Sequence, residues 1–504
     1  MRKDDFFAHQ AELGLGLTFD DVTLLTGHSN VHPRDVVLET PFSRNITLKI
    51  PLVSAAMDRV TEHKMAIVMA SLGGIGVIHR NMDPEQQARE VERVKFYLNG
   101  RIDRPISVKA HETIGEIQQR RDDKGWPFQS FPVLDENGQL QGVLTGNDFR
   151  HCDDSSQKAG EVMTREVVTG PPKTTVKEAY TILQREKRGV LPLIDENRHL
   201  TGMYVFSDLK RILTESSSTY NMDERGNLRV AAAIGTGEDA VERARVLAKA
   251  GVDALVIDTA HADTFDVIMT IEHLRAISAL ETIDLVVGNV SSRESVRRLA
   301  QVAERGIDAI KIGQGPGSIC TTRVVSGTGR AQLTAIWDCV QEATRHGLPV
   351  IADGGIHYSG DITKALAAGA SCVMLGSMVA GTEESPGEKV LYQGVQMKEY
   401  RGMGSVAAME SSSQATQRYR QDGALGKLVP EGIEALVPYR GLVSDVILQC
   451  LGGLRSGMGS AGAATIKELQ QKAEFELNTS AGTRESHPHN VLMSKDAPNY
   501  QRSF

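Results

Sequence analysis

Short apolar runs recur along the second half of the chain, and each is followed by a segment with helical spacing. From about Arg229 onward the runs are RVAAAIG, VDALVID, TIDLVVGNV, IDAIKIG, LPVIADGG and SCVMLGS. The segments between them, such as ERARVLAKAG and ESVRRLAQVAERG, place apolar residues three and four positions apart, which is typical of amphipathic helices. Runs that are apolar throughout, rather than alternating, predict strands of a parallel sheet that is covered on both faces.

Two earlier runs of the same kind, IPLVSAA and GGIGVIHR, lie between Ile50 and Arg80 and bring the predicted strands to eight. Eight βα units predict an α/β fold of the (β/α)8 TIM barrel type. A doubly wound sheet is the alternative, but glycine-bearing motifs recur here at the ends of several strands rather than after the first strand alone. The barrel is therefore the predicted fold.

A long interruption between the second and third predicted strands contains an internal repeat. VLDENGQLQGVLTGNDFR, from Val133, matches LIDENRHLTGMYVFSDLKR, from Leu193, and such self-similarity indicates duplicated structural units. Polar, turn-rich linkers, FYLNGRIDRP and TESSSTYNMDERGN, enter and leave the interruption. We predict a first barrel segment over residues 1–104, an inserted module over residues 105–215, and a second barrel segment with an active-site flap and C-terminal segment over residues 216–504.

Composition argues against nucleic acid and membranes as partners. The chain has 504 residues and a net charge of -8 that is spread along the sequence, with no basic stripe of the kind that binds nucleic acid. The N-terminus, MRKDDFFAHQAELG, lacks the apolar core of a signal peptide, and runs such as IPLVSAAM are too short to span a membrane. We expect a cytoplasmic protein of more than one domain.

The five cysteines are scattered without a CxxC pair, which argues against a disulfide framework and a zinc site. Cys339 lies on a predicted helix face and Cys372 in a predicted strand, so both fit the pattern of small buried side chains. Cys320 does not fit that pattern, because it lies in the loop KIGQGPGSICTTR after the sixth predicted strand.

The composition of the Cys320 loop predicts a catalytic role for its thiol. Its glycines and proline exclude a helix interior and predict a tight turn that comes close to another group. A thiol beside Ser318, Thr321 and Thr322, on the face of the barrel that carries active sites, predicts a nucleophile. A structural turn with a filler cysteine is the alternative.

Two further strand ends predict a phosphate site. IADGGI places Asp353, Gly354 and Gly355 after the seventh strand, and MLGSM places Gly376 and Ser377 after the eighth. Barrels commonly bind phosphate with these two loops, because glycine amides approach the oxygens without an intervening Cβ. The Asp353 carboxylate suits two ribose hydroxyls, which favours a nucleotide over bare phosphate.

Taken together, these motifs resemble those of the IMP dehydrogenase and GMP reductase superfamily. The matching segments are SAAMD (Ser54 to Asp58), GGIGVIHRNM, GPGSICTTR, ADGGI, GSMVAGTEESPGE, YRGMGS, LVPEGIE and GGLRSGMG, and they run over essentially the whole chain. The resemblance implies hydride transfer between a purine nucleotide and a nicotinamide cofactor through a covalent adduct of Cys320.

The repeated units resemble paired CBS modules, which bind adenine or guanine nucleotides. In such modules a threonine three residues before an aspartate helps to hold the ribose. Thr145 and Asp148 supply that pair in the first copy, whereas Val205 stands in the place of the threonine in the second copy. The resemblance therefore implies a nucleotide site in the first copy and leaves the second copy open.

The resemblance also assigns roles to individual residues. It implies Cys320 as nucleophile, with Arg418, Tyr419, Thr322 and Glu431 in proton transfer. The residues implied for the substrate IMP are Ser54, Met57, Ser318, Asp353, Gly354, Gly355, Gly376, Ser377, Tyr400, Arg401, Gly402, Met403, Gly404 and Glu431. Those implied for NAD are Asp258, Gly313, Gln314 and Gly315. Those implied for K+ are Gly315, Gly317 and Cys320 of one subunit with Glu485, Ser486 and His487 of a neighbour, in a homotetramer or a higher assembly.

The pair Arg418 and Tyr419 in QRYRQD favours the dehydrogenase branch of the superfamily, which converts IMP to XMP in guanine nucleotide biosynthesis. Dehydrogenases use such a pair to hydrolyse the covalent intermediate. A reductase, which converts GMP and NADPH to IMP and ammonia with the same cysteine, performs no hydrolysis and is the alternative. A nucleotide sensor that has lost catalysis is a further alternative, against which Cys320, Arg418 and Glu431 argue.

Some positions depart from the superfamily pattern. Ala262 and Asp263 stand where glycine and histidine are common, Arg330 and Ala331 where an apolar residue and proline are common, and Gly457 where cysteine is frequent. The first two changes leave the choice between NAD and NADP open, although an acidic Asp258 would repel a 2'-phosphate. The resemblance implies two routes for proton transfer, one through Arg418 and one through Thr322 and Glu431, and the sequence contains the residues of both.

Overall fold

The computed structural model describes residues 3–97, 100–103, 105–126, 128–214, 219–303, 305–419, 428–494 and 497–500. The chain divides into two compact units. The larger unit comprises Met1–Lys95, Thr219–Asn221 and Leu228–Phe504, and the smaller unit comprises Phe96–Ser218 and Met222–Asn227. The predicted limits of the inserted module, residues 105–215, fall inside the smaller unit.

Eight parallel strands of the larger unit close into a barrel. In chain order they are β1 (Leu52–Ser54), β2 (Ile75–Ile78), β3 (Ala231–Ile234), β4 (Ala254–Asp258), β5 (Asp284–Val290), β6 (Ala309–Ile312), β7 (Val350–Asp353) and β8 (Cys372–Leu375). Each strand pairs with the next, and β8 pairs with β1 to complete the ring. The predicted (β/α)8 barrel is confirmed, and each of the eight apolar runs supplies one strand.

A helix follows each strand in the sequence. These helices are α1 (His63–Ser71), α2 (Pro84–Lys95), α3 (Gly237–Lys249), α4 (Phe265–Arg275), α5 (Arg293–Ala300), α6 (Gln332–Ala343), α7 (Ser359–Ala367) and α8 (Val443–Ser460). In α5, Val296 and Leu299 are buried, and Ser292 caps the helix by accepting the Ser295 N–H. Among the described residues, no helix has both the length and the apolar character needed to cross a membrane.

Further elements of the larger unit lie outside the barrel repeat. A three-stranded antiparallel sheet, formed by Lys389–Tyr392, Val395–Arg401 and Glu434–Pro438, follows β8. Two-stranded pairs join Val22–Leu24 with Phe475–Leu477 and Thr40–Pro41 with Thr47–Leu48. The remaining α-helices are Lys3–Glu12, Thr322–Val325, Ser377–Ala380, Val406–Ser411, Ser413–Arg418, Ile466–Lys472 and Ser480–Glu485, and the 3-10 helices are Pro33–Asp35, Ser278–Leu280 and Thr344–His346.

The smaller unit contains the sequence repeat as a structural repeat of helix, strand, strand and helix. The first copy has Ile114–Lys124, Phe131–Leu134, Leu140–Leu144 and Gly146–Arg150, and the second has Val176–Glu186, Val190–Ile194, Leu200–Val205 and Phe206–Thr214. Strand Val108–Lys109 and helix Ala159–Val162 complete the set of described elements. Thr113 and Thr175 begin the first helix of each copy with the same capping box, so the duplication extends to the helix starts.

The amino-terminal end of the barrel is held by a buried ion pair between Arg275 at the end of α4 and Asp308 just before β6. The two side chains are 7% and 2% exposed. Asp308 Oδ2 also accepts the Leu285 N–H at 2.8 Å, and Arg275 donates to the Gly306 carbonyl at 2.8 Å. Burial lowers the pKa of the Arg275 guanidinium, and the Asp308 carboxylate opposes this shift.

Replacing Arg275 with methionine is expected to lower the free energy of unfolding by about 3 kcal/mol, because it leaves the Asp308 carboxylate buried without its cation. Urea unfolding of the purified variant measures this. Lys49→Met, which removes an exposed ion pair with Glu39, is the control and should cost less than about 1 kcal/mol. Equal losses of unfolding free energy in the two variants would contradict the stabilising role of the buried Arg275–Asp308 ion pair.

Candidate active site

A cavity of about 140 Å³ lies at the carboxyl ends of the barrel strands. It gathers most of the residues that the sequence predicts for the site, although they are far apart in the chain. They are Met57, Asp258, Gly313, Gln314, Gly315, Gly317, Ser318, Cys320, Thr322, Asp353, Gly354, Gly355, Gly376, Ser377, Tyr400, Gly402, Met403, Arg418, Tyr419 and Glu431. This is the end of the barrel at which active sites occur.

Three residues predicted to contact the nucleotide do not line the cavity. Ser54 is fully buried in β1, and its hydroxyl accepts a hydrogen bond from Thr61 at 2.9 Å. Arg401 instead points to Asp58, with Nε 3.0 Å from Oδ2. Gly404 is covered by the ring of Tyr419, since a Cβ at Gly404 would lie 2.6 Å from Cζ. The sequence places these residues at strand ends and loops but does not give the direction of their side chains.

The C-terminal residues predicted for K+ also lie apart from the cavity. His487 lines a different cavity and donates or accepts a hydrogen bond with the Tyr500 hydroxyl at 3.1 Å. The Ser486 hydroxyl donates to the Gly482 carbonyl, and Glu485 ends helix Ser480–Glu485. Within one chain, Glu485, Ser486 and His487 therefore do not join Gly315 and Gly317.

The Cys320 loop is held by a second segment of backbone. Thr321 N–H donates to the Glu431 carbonyl at 3.1 Å, and Ile433 N–H donates to the Ile319 carbonyl at 3.0 Å. Cys320 consequently lies opposite Gly432 in an antiparallel bridge, half-buried, with Sγ 3.2 Å from Thr322 Oγ1. The pairing brings the predicted proton-transfer residues Thr322 and Glu431 beside the thiol.

Three of the other four cysteines are unsuited to act as nucleophiles. Cys339, Cys372 and Cys450 are buried. Burial raises the pKa of the Cys339 and Cys372 thiols well above the ordinary range and that of Cys450 to about 11. The predicted structural role of Cys339 and Cys372 is confirmed, and Cys320 is the cysteine that faces the cavity.

Hydrogen-bond donors suited to a phosphate meet at the ends of β6 and β8. The Ser318 hydroxyl lies 3.2 Å from that of Ser377. The Tyr400 hydroxyl faces Gly376, where a Cβ would lie 2.9 Å from it. Burial raises the pKa of Tyr400, so the phenol keeps its proton and remains a donor at neutral pH. The hydroxyls of Ser318, Ser377 and Tyr400 thus meet the backbone of Gly376 at this end of the barrel.

A buried lysine joins the two carboxylates of the site. Lys311 in β6 is 1% exposed, and its Nζ lies 2.9 Å from Asp258 Oδ1 and 2.6 Å from Asp353 Oδ2. It also donates to Asn289 Oδ1, and Asn289 Nδ2 donates to Asp353 Oδ2 at 3.0 Å. Asp258 was predicted for the cofactor and Asp353 for the nucleotide ribose, so one cation lies between both predicted ligands.

Sequence reasoning assigned no role to Lys311 or Asn289. A signal was present, because each interrupts an otherwise apolar strand run, IDAIKIG and TIDLVVGNV. A lysine is almost never fully buried unless it is paired. A charge in the middle of a barrel strand therefore points to carboxylates on neighbouring strands.

Gly313 makes the closeness of β6 and β7 possible. Its φ is +151°, and a Cβ there would collide with the Asp353 carbonyl. The tight turn predicted after β6 thus needs a glycine at this position for two reasons. The backbone has a positive φ there, and the neighbouring strand leaves no space for a Cβ.

Arg418 and Tyr419 occupy the side of the cavity predicted for the cofactor. The Arg418 guanidinium forms an ion pair with Asp258, and the Arg418 carbonyl accepts the Ala260 N–H at 3.2 Å. Burial raises the pKa of Tyr419, whose ring packs against Gly404. The residue predicted to hold NAD is therefore in contact with the predicted catalytic arginine.

Two of the residues that depart from the superfamily pattern, Asp263 and Arg330, form ion pairs. Asp263 accepts hydrogen bonds from Arg298 Nε at 2.9 Å and from the Ser295 hydroxyl at 2.8 Å. Arg330 at the end of the Cys320 loop donates to Asp338 at 2.6 Å and to the Ser291 carbonyl at 2.9 Å. Both substitutions therefore have charged partners in this chain.

A closed (β/α)8 barrel with a thiol, clustered hydroxyls and paired carboxylates at the carboxyl ends of its strands is typical of a barrel enzyme. Residues 16–489 match the family described as IMP dehydrogenase / GMP reductase domain. The chain belongs to this family. The resemblance found in the motifs is confirmed.

Similar proteins cover nearly the whole chain. It is 48% identical over 486 residues to inosine-5'-monophosphate dehydrogenase of Helicobacter pylori (strain ATCC 700392 / 26695), covering 96% of this chain and 98% of that enzyme. The enzyme of the same name from Aquifex aeolicus (strain VF5) is 47% identical over 488 residues, with 96% and 97% covered. A crystal structure of a cysteine-to-alanine variant of GMP reductase from Trypanosoma brucei, in complex with guanosine 5'-monophosphate, has a TM-score of 0.86 and 36% identity, and covers 96% of this chain and 100% of that one.

Lys311→Met is expected to lower kcat/KM by about 100-fold, because Asp258 and Asp353 would then face each other without the cation between them. Steady-state kinetics on the purified variant measures this once substrates are assigned. Lys95→Met is a matched control, since Lys95 forms a comparably buried ion pair with Asp253 at the opposite end of β4. It should lose stability and keep its kcat. A Lys311→Met enzyme within about threefold of wild type would contradict the role of the lysine.

Proposed function

We propose that the chain is an IMP dehydrogenase that oxidises IMP to XMP with NAD+ and water in guanine nucleotide biosynthesis. The observation that carries the proposal is the meeting of Cys320, the phosphate donors and Arg418 with Tyr419 in one cavity. A reductase of the family has no use for an arginine and a tyrosine that act on water. The identity to dehydrogenases over 96% of the chain supports the same choice.

The nucleotide would bind with its phosphate at Ser318, Gly355, Gly376, Ser377 and Tyr400. Its ribose hydroxyls would donate to Asp353, which Lys311 and Asn289 hold in place. Met57, Gly354, Gly402, Met403 and Glu431 line the remainder of the cavity and would contact the base. This arrangement would hold the purine against Cys320 and fix its orientation before reaction.

NAD would be held by Asp258, Gly313, Gln314 and Gly315. These residues fit the group, since Asp258 supplies a carboxylate for ribose hydroxyls at the edge of the same cavity and would repel a 2'-phosphate. Bound NAD+ supplies the acceptor for one hydride. The protein supplies the position of the nucleotide relative to that acceptor.

The chemistry divides into two parts at Cys320. Sγ adds to C2 of IMP, and loss of hydride from C2 leaves a thioimidate joined to the enzyme. Water then adds to C2, the C–S bond breaks, and the thiol is regenerated with XMP as product. Arg418 with Tyr419, or Thr322 with Glu431, would take the proton from water, and Thr322 Oγ1 lies 3.2 Å from Sγ.

K+ would be held by the carbonyls of Gly315, Gly317 and Cys320. The fit rests on the turn, because the Gly317 carbonyl accepts the Cys320 N–H at 3.0 Å and keeps a second lone pair. Carbonyl oxygens of this kind suit a monovalent cation. Glu485, Ser486 and His487 would complete the site from a neighbouring copy, which supports a homotetramer or a higher assembly.

Mixing the protein with IMP and NAD+ is expected to produce NADH, seen as absorbance at its characteristic wavelength. Cys320→Ala should abolish NADH formation and still bind IMP, because the phosphate and ribose contacts remain. Cys372→Ala is the control and should keep activity, since that thiol is buried in β8. Consumption of NADPH with GMP, and none of NAD+ with IMP, would establish the reductase instead.

The smaller unit is proposed to be a regulatory pair of CBS modules that bind adenine or guanine nucleotides. Thr145 and Asp148 support this for the first copy. Asp148 Oδ2 accepts hydrogen bonds from the Thr145 N–H at 2.6 Å and from its hydroxyl at 2.8 Å, at the start of helix Gly146–Arg150. The two residues are thus held together at the start of this helix, and the proposal is that both face the ribose of a bound nucleotide.

Asp148→Asn is expected to weaken ATP or GTP binding to the intact chain at least about tenfold, because the charged acceptor for the ribose is lost. Equilibrium titration with each nucleotide measures the effect. Asp208→Asn changes the corresponding residue of the second copy, where Val205 replaces the threonine, and should alter binding by less than about twofold. Absence of binding of both nucleotides to the wild-type chain would remove the regulatory proposal.

A further inference from the structure

The helix that ends at Arg418 is fastened by the residue before it. Gln417 Oε1 accepts a hydrogen bond from Arg80 Nη1 at 2.9 Å, and Gln417 Nε2 donates to the Thr236 carbonyl at 3.0 Å. Arg80 follows β2 and Thr236 follows β3. One side-chain amide therefore connects the helix to the ends of two adjacent barrel strands.

The backbone around this contact leaves room for it. Gly235 lies between β3 and Thr236, and a Cβ there would lie 2.7 Å from Arg80 Nη1 and would also collide with Gln417 Oε1. Arg80 itself is 4% exposed. The contact is thus a packed, buried feature of the barrel rim rather than a surface association.

The same helix end is fixed at a third strand. The Arg418 carbonyl accepts the Ala260 N–H at 3.2 Å just after β4, and the Arg418 guanidinium pairs with Asp258 at the end of that strand. Gln417 and Arg418 together contact the ends of β2, β3 and β4. These contacts accompany the position of Arg418 in the cavity.

We propose that Arg80 is a positioning residue for the hydrolytic half of the reaction, because it holds Gln417 and thereby places Arg418 on Asp258 in the position that NAD uses during hydride transfer. The proposal rests on the proposed IMP dehydrogenase function. It assigns Arg80 no contact with substrate. Arg80 acts only through the helix that carries Arg418.

The charges around Arg80 make its burial unfavourable without a specific partner. Burial lowers the pKa of Arg80, the nearby cations Arg418 and Arg243 add to the effect and Asp239 opposes it, and together they bring the pKa to about 9. A buried cation beside two others is destabilising unless it makes hydrogen bonds that an apolar side chain would not. Gln417 supplies one such bond in the docked arrangement.

Because Arg418 and NAD would both use Asp258, the strength of helix docking can be measured through the affinity for the cofactor. Arg418 and NAD require the same carboxylate, so docking of the helix and binding of the cofactor oppose each other. A variant that weakens docking should strengthen cofactor binding, by at most the factor by which the docked state had reduced it. A general loss of fold would weaken both.

The test compares Arg80→Met and Gln417→Leu with wild type. Both variants are expected to form the first equivalent of NADH from IMP and NAD+ at the wild-type rate in stopped flow, then to turn over about tenfold more slowly, because hydrolysis alone needs the docked helix. NADH should bind each nucleotide-free variant more tightly than wild type, by up to about tenfold. Arg80→Lys, which keeps a donor and the charge, should restore most of the turnover.

Two reference variants complete the test. Arg418→Ala should show the same fast first turnover and a slow steady state, which fixes the phenotype of impaired hydrolysis. Arg243→Met removes a neighbouring buried arginine whose partners are Gln87 at 2.8 Å and the Met82 carbonyl at 3.0 Å, and it should leave turnover and NADH affinity within about twofold.

The outcomes separate the two proposals. A wild-type protein that makes no NADH from IMP defeats the proposed function. A wild-type protein that does, together with an Arg80→Met variant that slows the first turnover as much as the steady state or that binds NADH no more tightly, overturns the role of Arg80.

Discussion

The buried cation of Lys311 is the interaction on which the site depends. Its ammonium group lies in β6 between a carboxylate on β4 and another on β7. Without it, two acidic side chains would be directed into one cavity and repel each other. With it, each carboxylate has a cationic partner within hydrogen-bond distance. Two strands of the cavity wall are therefore linked through a single residue.

Around this cation the barrel places groups according to strand order. The thiol loop follows β6, the phosphate donors follow β6 and β8, and the arginine proposed for hydrolysis rests on the ends of β2, β3 and β4. In the proposed reaction, nucleotide and thiol would occupy one side of the ring, and the cofactor and Arg418 would compete for the other side. Asp258 pairs with both Lys311 and Arg418 in this structure, so a bound cofactor would have to replace Arg418 while Lys311 stays in place.

Most of the fold could be predicted from the sequence, because a parallel barrel requires apolar runs at regular intervals and each run here became a strand. The loops at strand ends were predictable for a similar reason, since glycine-rich turns and a thiol among hydroxyls are unusual in any other setting. Side-chain direction was not predictable. Ser54 and Arg401 belong to matching motifs, yet one is buried in β1 and the other pairs with Asp58. Lys311 was overlooked because its partners lie on distant strands.

The chain leaves the barrel after β2 and returns at β3, and these two strands are hydrogen-bonded neighbours, with Ala231 opposite Val77 and Ala232 opposite Ile78. The two ends of the intervening segment are consequently held side by side by the barrel itself. Among the described residues, no strand of that segment belongs to the ring of barrel strands. The connection between β2 and β3 is therefore a position at which evolution can lengthen, shorten or exchange the chain while the ring of strands stays closed.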